Sequence, residues 1–373
     1  MIPIKALLHL STLGMVRAKV VKVDPLAPDE DVIEEAAEVL RSGGLVAFPT
    51  ETVYGLGADA FNARAVRRVF EVKRRPPDNP LIVHVSSLNM LSRVASEVPP
   101  HVLRILQIAW PGPLTVILRR YPELPPIVSG GLDTVAVRSP AHPVALKLIE
   151  VFGGPIAAPS ANLSGRPSPT RAEHVVEDLG DAIEMVLDAG ETFLGVESTV
   201  VDLLSPKPRI LRPGPLGPEE LVKIFGVDVE VPEHVRGILS DVDRPPSPGM
   251  KYRHYAPNKK LILVELGSCG AGDYIDFLVR TLKAHLSNGP ALLASKETIY
   301  HVKGFLGDAV TYITLGSRSN IYEVAKNLFN SLRELDKNDR VSVGICESFE
   351  EKGIGLAVMN RLRKAATERL VCG

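Results

Sequence analysis

The sequence predicts an α/β protein of two domains, and three observations carry that prediction. At 373 residues the chain is longer than one hydrophobic core usually supports. Short apolar runs alternate along it with amphipathic stretches of helical period, the pattern of strands and covering helices. Past a Pro-rich run ending near Pro257, uneven spacing gives way to regular strand–helix alternation from Lys259 onward. A content of 45% hydrophobic and 23% charged residues is that of a soluble globular protein. No apolar run approaches the ~20 residues of a membrane-spanning helix.

Ala18 to Asp24 (AKVVKVD) alternates as a strand, and Asp29 to Ser42 reads as a helix with acids in its first turn and Gly43-Gly44 stopping it. LVAF (45–48) is a short buried strand. Asn62 caps a helix over 63–73, LIVHV (81–85) is a strand, and helical segments follow near 87–95 and 101–109. Further strands fall at 114–118, 134–138, 155–158, 198–202 and 209–211, with helices at 143–152, 171–179 and 218–225. Several of these strands are too close in sequence for every connection to be a helical crossover, so a mixed sheet is expected. From Lys260, LILVEL, ALLAS, VTYITL and VSVGI are strands and 273–286, 320–335 and 355–369 are helices. That alternation predicts a small parallel sheet of nucleotide-binding type, although no GxGxxG opens a helix and fold alone names no ligand.

Lys+Arg 43 against Asp+Glu 44 leaves a net charge of −1, so no global field draws the chain to nucleic acid or anionic lipid. Any anion must be met by a local cluster. Cys269, Cys346 and Cys372 are odd in number, far apart and never in CxxC spacing, which indicates neither a disulfide framework nor a zinc knuckle and fits a reducing, cytoplasmic setting. Cys346 reads as a buried core thiol. The leader MIPIKALLHLSTLGM is broken by His9 and Ser11 and lacks a small-residue cleavage site, so it is not read as a secretory signal.

Polar segments beside the buried strands share one chemical theme. PTETVYGLGAD (49–59) offers hydroxyls, a carboxylate and two glycines, and Lys73, Arg74 and Arg75 end a helix just before the rigid PPDNP. TVAVR ends in Arg138, and ILRPG places Arg212 after a strand. In APSANLSGRPSPT, Ser160, Asn162, Ser164 and Ser168 alternate with Gly and Pro, a loop suited to phosphate oxygens or a ribose, though Ser and Asn turns often satisfy only themselves. Cations with hydroxyl donors are what a triphosphate and a carboxylate require. GxxxxGK(S/T), Gly-x-Ser-x-Gly and a His pair at metal-ligand spacing are all absent. Chemistry without a nucleophile or fixed metal cage is positioning and charge stabilisation, as in transfer at phosphorus.

Together PTETVYGLGADAF, the KxR of Lys73 and Arg75 with NPLIVHV, WPGPLT, DTVAVRSPAHP, PIAAPSANLSGRPSPT, GVESTVVD, ILRPG and SPGMKYRHYAP resemble the Sua5 form of the YrdC/Sua5 family, the threonylcarbamoyl-AMP synthases. The resemblance implies a YrdC-like catalytic domain with a mixed twisted sheet (18–228), a linker and active-site flap (229–258) and a smaller Rossmann-like parallel α/β domain (259–373). It implies synthesis of L-threonylcarbamoyladenylate from L-threonine, bicarbonate or CO2 and ATP, with release of pyrophosphate. A separate complex then modifies adenosine 37 of tRNAs reading ANN codons. By the family's motif Thr50, His84, Arg138 and Ser198 face threonine. Lys73, Arg75, Thr134, Ser160, Asn162, Ser168 and Arg212 surround the nucleotide, with Lys73, Arg75 and Arg138 as the catalytic cations. Mg2+ is expected on the triphosphate rather than in a protein cage.

Two other readings compete. An RNA-binding module is disfavoured by balanced charge and 5% aromatic residues. Carbamoyl transfer in hydrogenase maturation needs Cys-rich zinc motifs that three isolated cysteines cannot build. The run SPGMKYRHYAP carries too much chemistry for a tether, and it is read as folding back over the nucleotide through Tyr252, His254 and Tyr255.

Overall fold

A computed structural model describes residues 17–237 and 254–373. The first part builds one mixed sheet from β1 (Lys19–Lys22), β2 (Val46–Phe48), β3 (Gly55–Asp59), β4 (Ile82–His84), β5 (Ala95–Glu97), β6 (Leu114–Arg120), β7 (Thr134–Arg138), β8 (Ile156–Ala157), β9 (Met185–Asp188), β10 (Thr199–Asp202) and β11 (Arg209–Arg212). Their order is β1-β9-β2-β3-β8-β4-β7-β6-β10-β11, with β5 on the side of β6. The pairs β1/β9, β2/β9, β4/β7 and β6/β10 are parallel and the others antiparallel, as the short spacings require. Six helices accompany it: α1 (Glu30–Arg41), α2 (Ala63–Lys73), α3 (Pro100–Ala109), α4 (Pro143–Phe152), α5 (Ala172–Leu179) and α6 (Pro218–Phe225).

Local chemistry explains these elements. Asp29 caps α1 by accepting from the backbone N–H of Asp31 and Val32, and Ile33, Ala36, Ala37 and Leu40 form its buried stripe. Asn62 caps α2, and Arg74 ends it in the left-handed region at φ 51°, so that its neighbours Lys73 and Arg75 both reach the same cleft. Alternation along β4 divides Val83, in the main core, from Ile82 and His84 on the opposite face.

The second part is an all-parallel sheet of β12 (Lys260–Glu265), β13 (Pro290–Ser295), β14 (Thr311–Gly316), β15 (Val343–Glu347) and β16 (Glu368–Val371), ordered β14-β13-β15-β12-β16. Helices α7 (Ala271–Ala284) and α8 (Lys296–Leu306) pack on one face, α9 (Ile321–Lys337) and α10 (Gly355–Ala365) on the other. The face bearing α9 and α10 meets the first domain, and Val53, Val196 and Tyr255 are buried in the same apolar cluster as Phe329 and Leu332. Residues 229–237, expected as linker, also pack on α10, where Asn360 Nδ2 donates to the carbonyl of Val235 at 2.8 Å.

Several expectations need correction. The segment 49–59 is not all loop: Gly55–Asp59 is β3, and a Cβ at Gly57 would stand 2.8 Å from the Phe48 ring and 2.9 Å from Ile156. The glycines that weaken its strand signal are there for close packing. Strands β5 and β9 and helix α8 were not foreseen, and the segment 87–95 divides into a 3-10 helix (Leu88–Arg93) followed by β5. The last helix stops at Ala365 rather than 369, because Thr367 hydrogen-bonds Leu261 through both its backbone N–H and its hydroxyl and starts edge strand β16.

The cysteine reading is overturned. Cys269 and Cys372 form a disulfide with Cα atoms 5.6 Å apart, across 103 residues of sequence. Neighbouring strands β12 and β16 bring the two together, which spacing alone could not reveal. Cys346 is the buried thiol expected. Closing so long a loop stabilises by about 2–5 kcal/mol. Cys372→Ser should therefore lower the unfolding free energy of the second domain by that order in denaturant titrations, and an unchanged midpoint would count against the bridge.

Candidate active site

One cleft gathers most of the expected residues. It is narrow, with about 60 Å3 of space open to water between its walls. Its floor is the sheet face carrying Ile82, His84, Arg138 and Ala158, and its walls are the 50–55 turn, the end of α2, the loop after β8, Glu197-Ser198 and Arg212. His254 and Tyr255 complete the lining.

The turn that follows β2 is locked by its own hydroxyl. Thr50 Oγ1 donates to the carbonyl of Val53 (2.7 Å) and accepts from the N–H of Thr52 (3.1 Å). Arg138, the last residue of β7, then reaches this turn: Nη1 donates to Thr52 Oγ1 at 2.9 Å and Nη2 to Glu51 Oε2 at 2.5 Å, both sides buried. Its Nε has no hydrogen-bond partner among the described residues, and the same holds for His84 Nδ1 and Glu51 Oε1. Burial, helped by nearby Arg138, lowers the His84 pKa to about 3, so the imidazole is neutral. Ser198 Oγ shares a 2.7 Å hydrogen bond with Thr115 Oγ1 and accepts from Arg212 Nη2 at 3.1 Å.

Lys73 is 1% exposed and its Nζ donates to the carbonyls of Ser160 and Asn162, both at 2.5 Å. Burial first, and the charge of Arg75 next, hold it well below the usual lysine range. Arg75 is braced by the carbonyls of Asn79 (3.1 Å) and Pro80 (2.9 Å), which is what the rigid PPDNP supplies. Asn162 Nδ2 donates to the carbonyls of Leu163 and Arg166, leaving Oδ1 without a partner among the described residues, as is Ser164 Oγ. Ser168 Oγ donates to Glu197 Oε1 at 2.5 Å. Tyr255 holds a left-handed backbone (φ 66°), a conformation costing roughly 1–2 kcal/mol, while the next N–H, of Ala256, donates to the Gly165 carbonyl at 2.8 Å.

Thr50, His84, Arg138, Ser198, Lys73, Arg75, Ser160, Asn162, Ser168, Arg212, His254 and Tyr255 thus share one cleft. Thr134 does not line it: it begins β7 opposite Arg119, four residues or about 13 Å along the strand from Arg138. Tyr252 lies outside the described residues, as do Lys251 and Arg253. Thr52, Val53 and Arg166 also line the cleft without having been singled out, although Thr52 and Val53 lie inside the quoted PTETVYG segment.

Two family models match the chain: one described as "Telomere recombination", of the Sua5, YciO and YrdC group, over residues 38–214, and the threonylcarbamoyl-AMP synthase C-terminal domain over 218–367. The chain belongs to the Sua5 family. It is 47% identical to the threonylcarbamoyl-AMP synthase of Pyrococcus abyssi, over 92% of this chain and 96% of that one. It is 43% identical to the Bacillus subtilis enzyme of the same name, over 93% and 96%. A crystal structure of P. abyssi Sua5 complexed with L-threonine superposes with TM-score 0.86 at 45% identity, covering 95% of this chain and all of that one. The chain is accordingly an enzyme of the threonylcarbamoyl-AMP synthase type, and the RNA-binding-module reading is not favoured.

In this Sua5 protein, neutral His84 has a consequence for stability. Its folded pKa is depressed, so between about pH 6.5 and 3 the unfolded chain binds a proton that the folded chain refuses. Stability falls as pH drops through that window, by up to about 1.4 kcal/mol per pH unit from this group. His84→Asn should give a shallower pH dependence of urea unfolding than the parent; parallel curves would contradict the assignment.

Proposed function

We propose that this cleft binds L-threonine and ATP side by side and joins them through a carbamate. The observation that carries the reading is a set of four cations, Lys73, Arg75, Arg138 and Arg212, converging on one cleft of a nearly neutral chain with polar atoms that have no partner among the described residues. Threonine lies against Thr50, His84, Arg138 and Ser198: its carboxylate meets the free Nε edge of Arg138, and the neutral imidazole meets its hydroxyl. ATP lies along Lys73, Arg75, Ser160, Asn162, Ser168 and Arg212, its ribose hydroxyls facing Asn162 Oδ1 and Ser164 Oγ, with His254 and Tyr255 over it.

Threonine's amine condenses with bicarbonate to a carbamate, releasing water. A carbamate oxygen attacks the α-phosphorus while the bond to pyrophosphate breaks. Lys73, Arg75 and Arg138 neutralise charge that shifts toward the leaving group, and the narrow cleft, lined also by His254 and Tyr255, shields carbamate and mixed anhydride from hydrolysis. Mg2+ would be carried by the triphosphate rather than by a protein cage, a reading supported by Glu51 and Glu197 both being engaged by arginines. The product passes to a separate complex that modifies tRNA, and tRNA binding by this chain is weak or indirect. Among the described residues no helix is long and apolar enough to cross a membrane. A cytoplasmic setting fits a step in tRNA modification, although the Cys269–Cys372 bridge removes cysteine content as support for it.

The test is pyrophosphate release from ATP with bicarbonate and each amino acid in turn. Release that requires both threonine and bicarbonate is expected; release indifferent to either would sink the reading. Lys73→Ala and Arg138→Ala should each lower kcat/KM by about 10²–10³ with the fold intact by circular dichroism. Unchanged rates would remove these residues from the site.

A further inference from the structure

The cleft's electrostatics are completed from outside the first domain. Glu197 lines the cleft at 6% exposure, one oxygen accepting from Ser168 and the other, Oε2, accepting from Nε (3.1 Å) and Nη2 (3.0 Å) of Arg361. Arg361 is on α10 of the second domain, fully buried and 164 positions away in sequence. Its Nη1 donates to the carbonyl of Pro213 at 2.5 Å, next to Arg212. Its guanidinium carbon lies 5.5 Å from the ring centre of Tyr255, which in turn stacks on Phe329 of α9 at 5.3 Å. One guanidinium therefore meets the carboxylate bonded to Ser168, the carbonyl beside Arg212 and the ring of Tyr255.

We propose that Arg361 is a positioning residue for the nucleotide, through which the second domain neutralises Glu197 and sets Ser168, Arg212 and Tyr255 for ATP. This rests on the reading that the cleft takes ATP. A carboxylate on the wall of a phosphate-binding cleft opposes the ligand unless it is paired. Arg361 from the second domain pairs with the Glu197 carboxylate directly, and Arg212 of the first domain lies within its electrostatic reach. Without Arg361, Glu197 would turn to Arg212 and draw off a cation that the phosphates need. The fork also fits the task better than an ammonium could, because it holds the carboxylate with two N–H groups and a carbonyl with a third while lying over a ring. The second domain is then part of the nucleotide site rather than only an anchor for the linker.

Steady-state kinetics on the full chain test this. Arg361→Ala should raise KM for ATP by about tenfold or more while KM for threonine moves less than about threefold. Adding Glu197→Gln, which keeps an oxygen for Ser168 but removes the charge, should bring the ATP KM back to within about threefold of Glu197→Gln alone. A purely structural role for Arg361 predicts no such rescue. An ATP KM unchanged in Arg361→Ala, or a rise in both constants that Glu197→Gln fails to relieve, overturns the proposal. If the alanine variant does not fold, Arg361→Lys carries the test: a selective rise in ATP KM supports the proposal and wild-type constants refute it. Wild-type protein that shows no threonine- and bicarbonate-dependent pyrophosphate release overturns the functional reading itself. An active wild type insensitive at Arg361 overturns this inference alone.

Discussion

A lysine buried between two peptide carbonyls is the constraint on which the rest of the cleft depends. Lys73 Nζ bonds the carbonyls of Ser160 and Asn162, so the end of α2 and the loop after β8 are fastened together at the point where positive charge is concentrated. Carbonyls stabilise an ammonium less than a carboxylate does, and burial pulls its pKa down accordingly. A cation in such surroundings is poorly compensated in the free protein and well compensated by a polyphosphate. An anion bound beside it would relieve the cost of holding it there.

The other cations are held differently, and the differences divide the site. Arg138 is tied to Glu51 and Thr52, which fixes its plane and leaves its Nε without a partner among the described residues. Arg212 grips the backbone and hydroxyl of Ser198, joining the end of β11 to the start of β10. Each carboxylate near the cleft has an arginine of its own, so the surplus of positive charge is preserved where phosphate would lie. Burial alone would raise the Glu197 carboxyl, but Arg361, Arg212 and Ser168 together outweigh it and keep it below the ordinary range.

The second domain is bound to this arrangement through more than apolar packing. Arg333 of α9, almost fully buried, pairs with Asp178 of α5 and donates to the carbonyl of Pro167 at 2.6 Å, in the same loop that carries Ser164 and Ser168. Buried pairs of this kind are strongly destabilising to break, which makes the loop's position a property of both domains. Phe329 and Arg361 do the same for Tyr255, whose left-handed backbone persists because its ring is held from two sides.

By itself the sequence determined the α/β class, the mixed character of the first sheet, the parallel second sheet and most of the cleft. Local rules explain that success: Asn62 caps α2, period-two alternation separates His84 from Val83, and the KxR, PSAN and RPG segments carry their chemistry in short, readable runs. Only the tertiary structure could show that Thr134 does not line the cleft: β7 spans the residues expected, but how far the cleft runs along it depends on the elements packed around it. Only it could find β3, whose glycines hide a strand in order to admit Phe48 and Ile156, or join Cys269 to Cys372 through two adjacent strands. Arg361 is the plainest case. Nothing in GIGLAVMNRLRKA distinguishes that arginine from its neighbours, because its role depends on a carboxylate 164 residues away, and a long-range contact leaves no local periodicity to read.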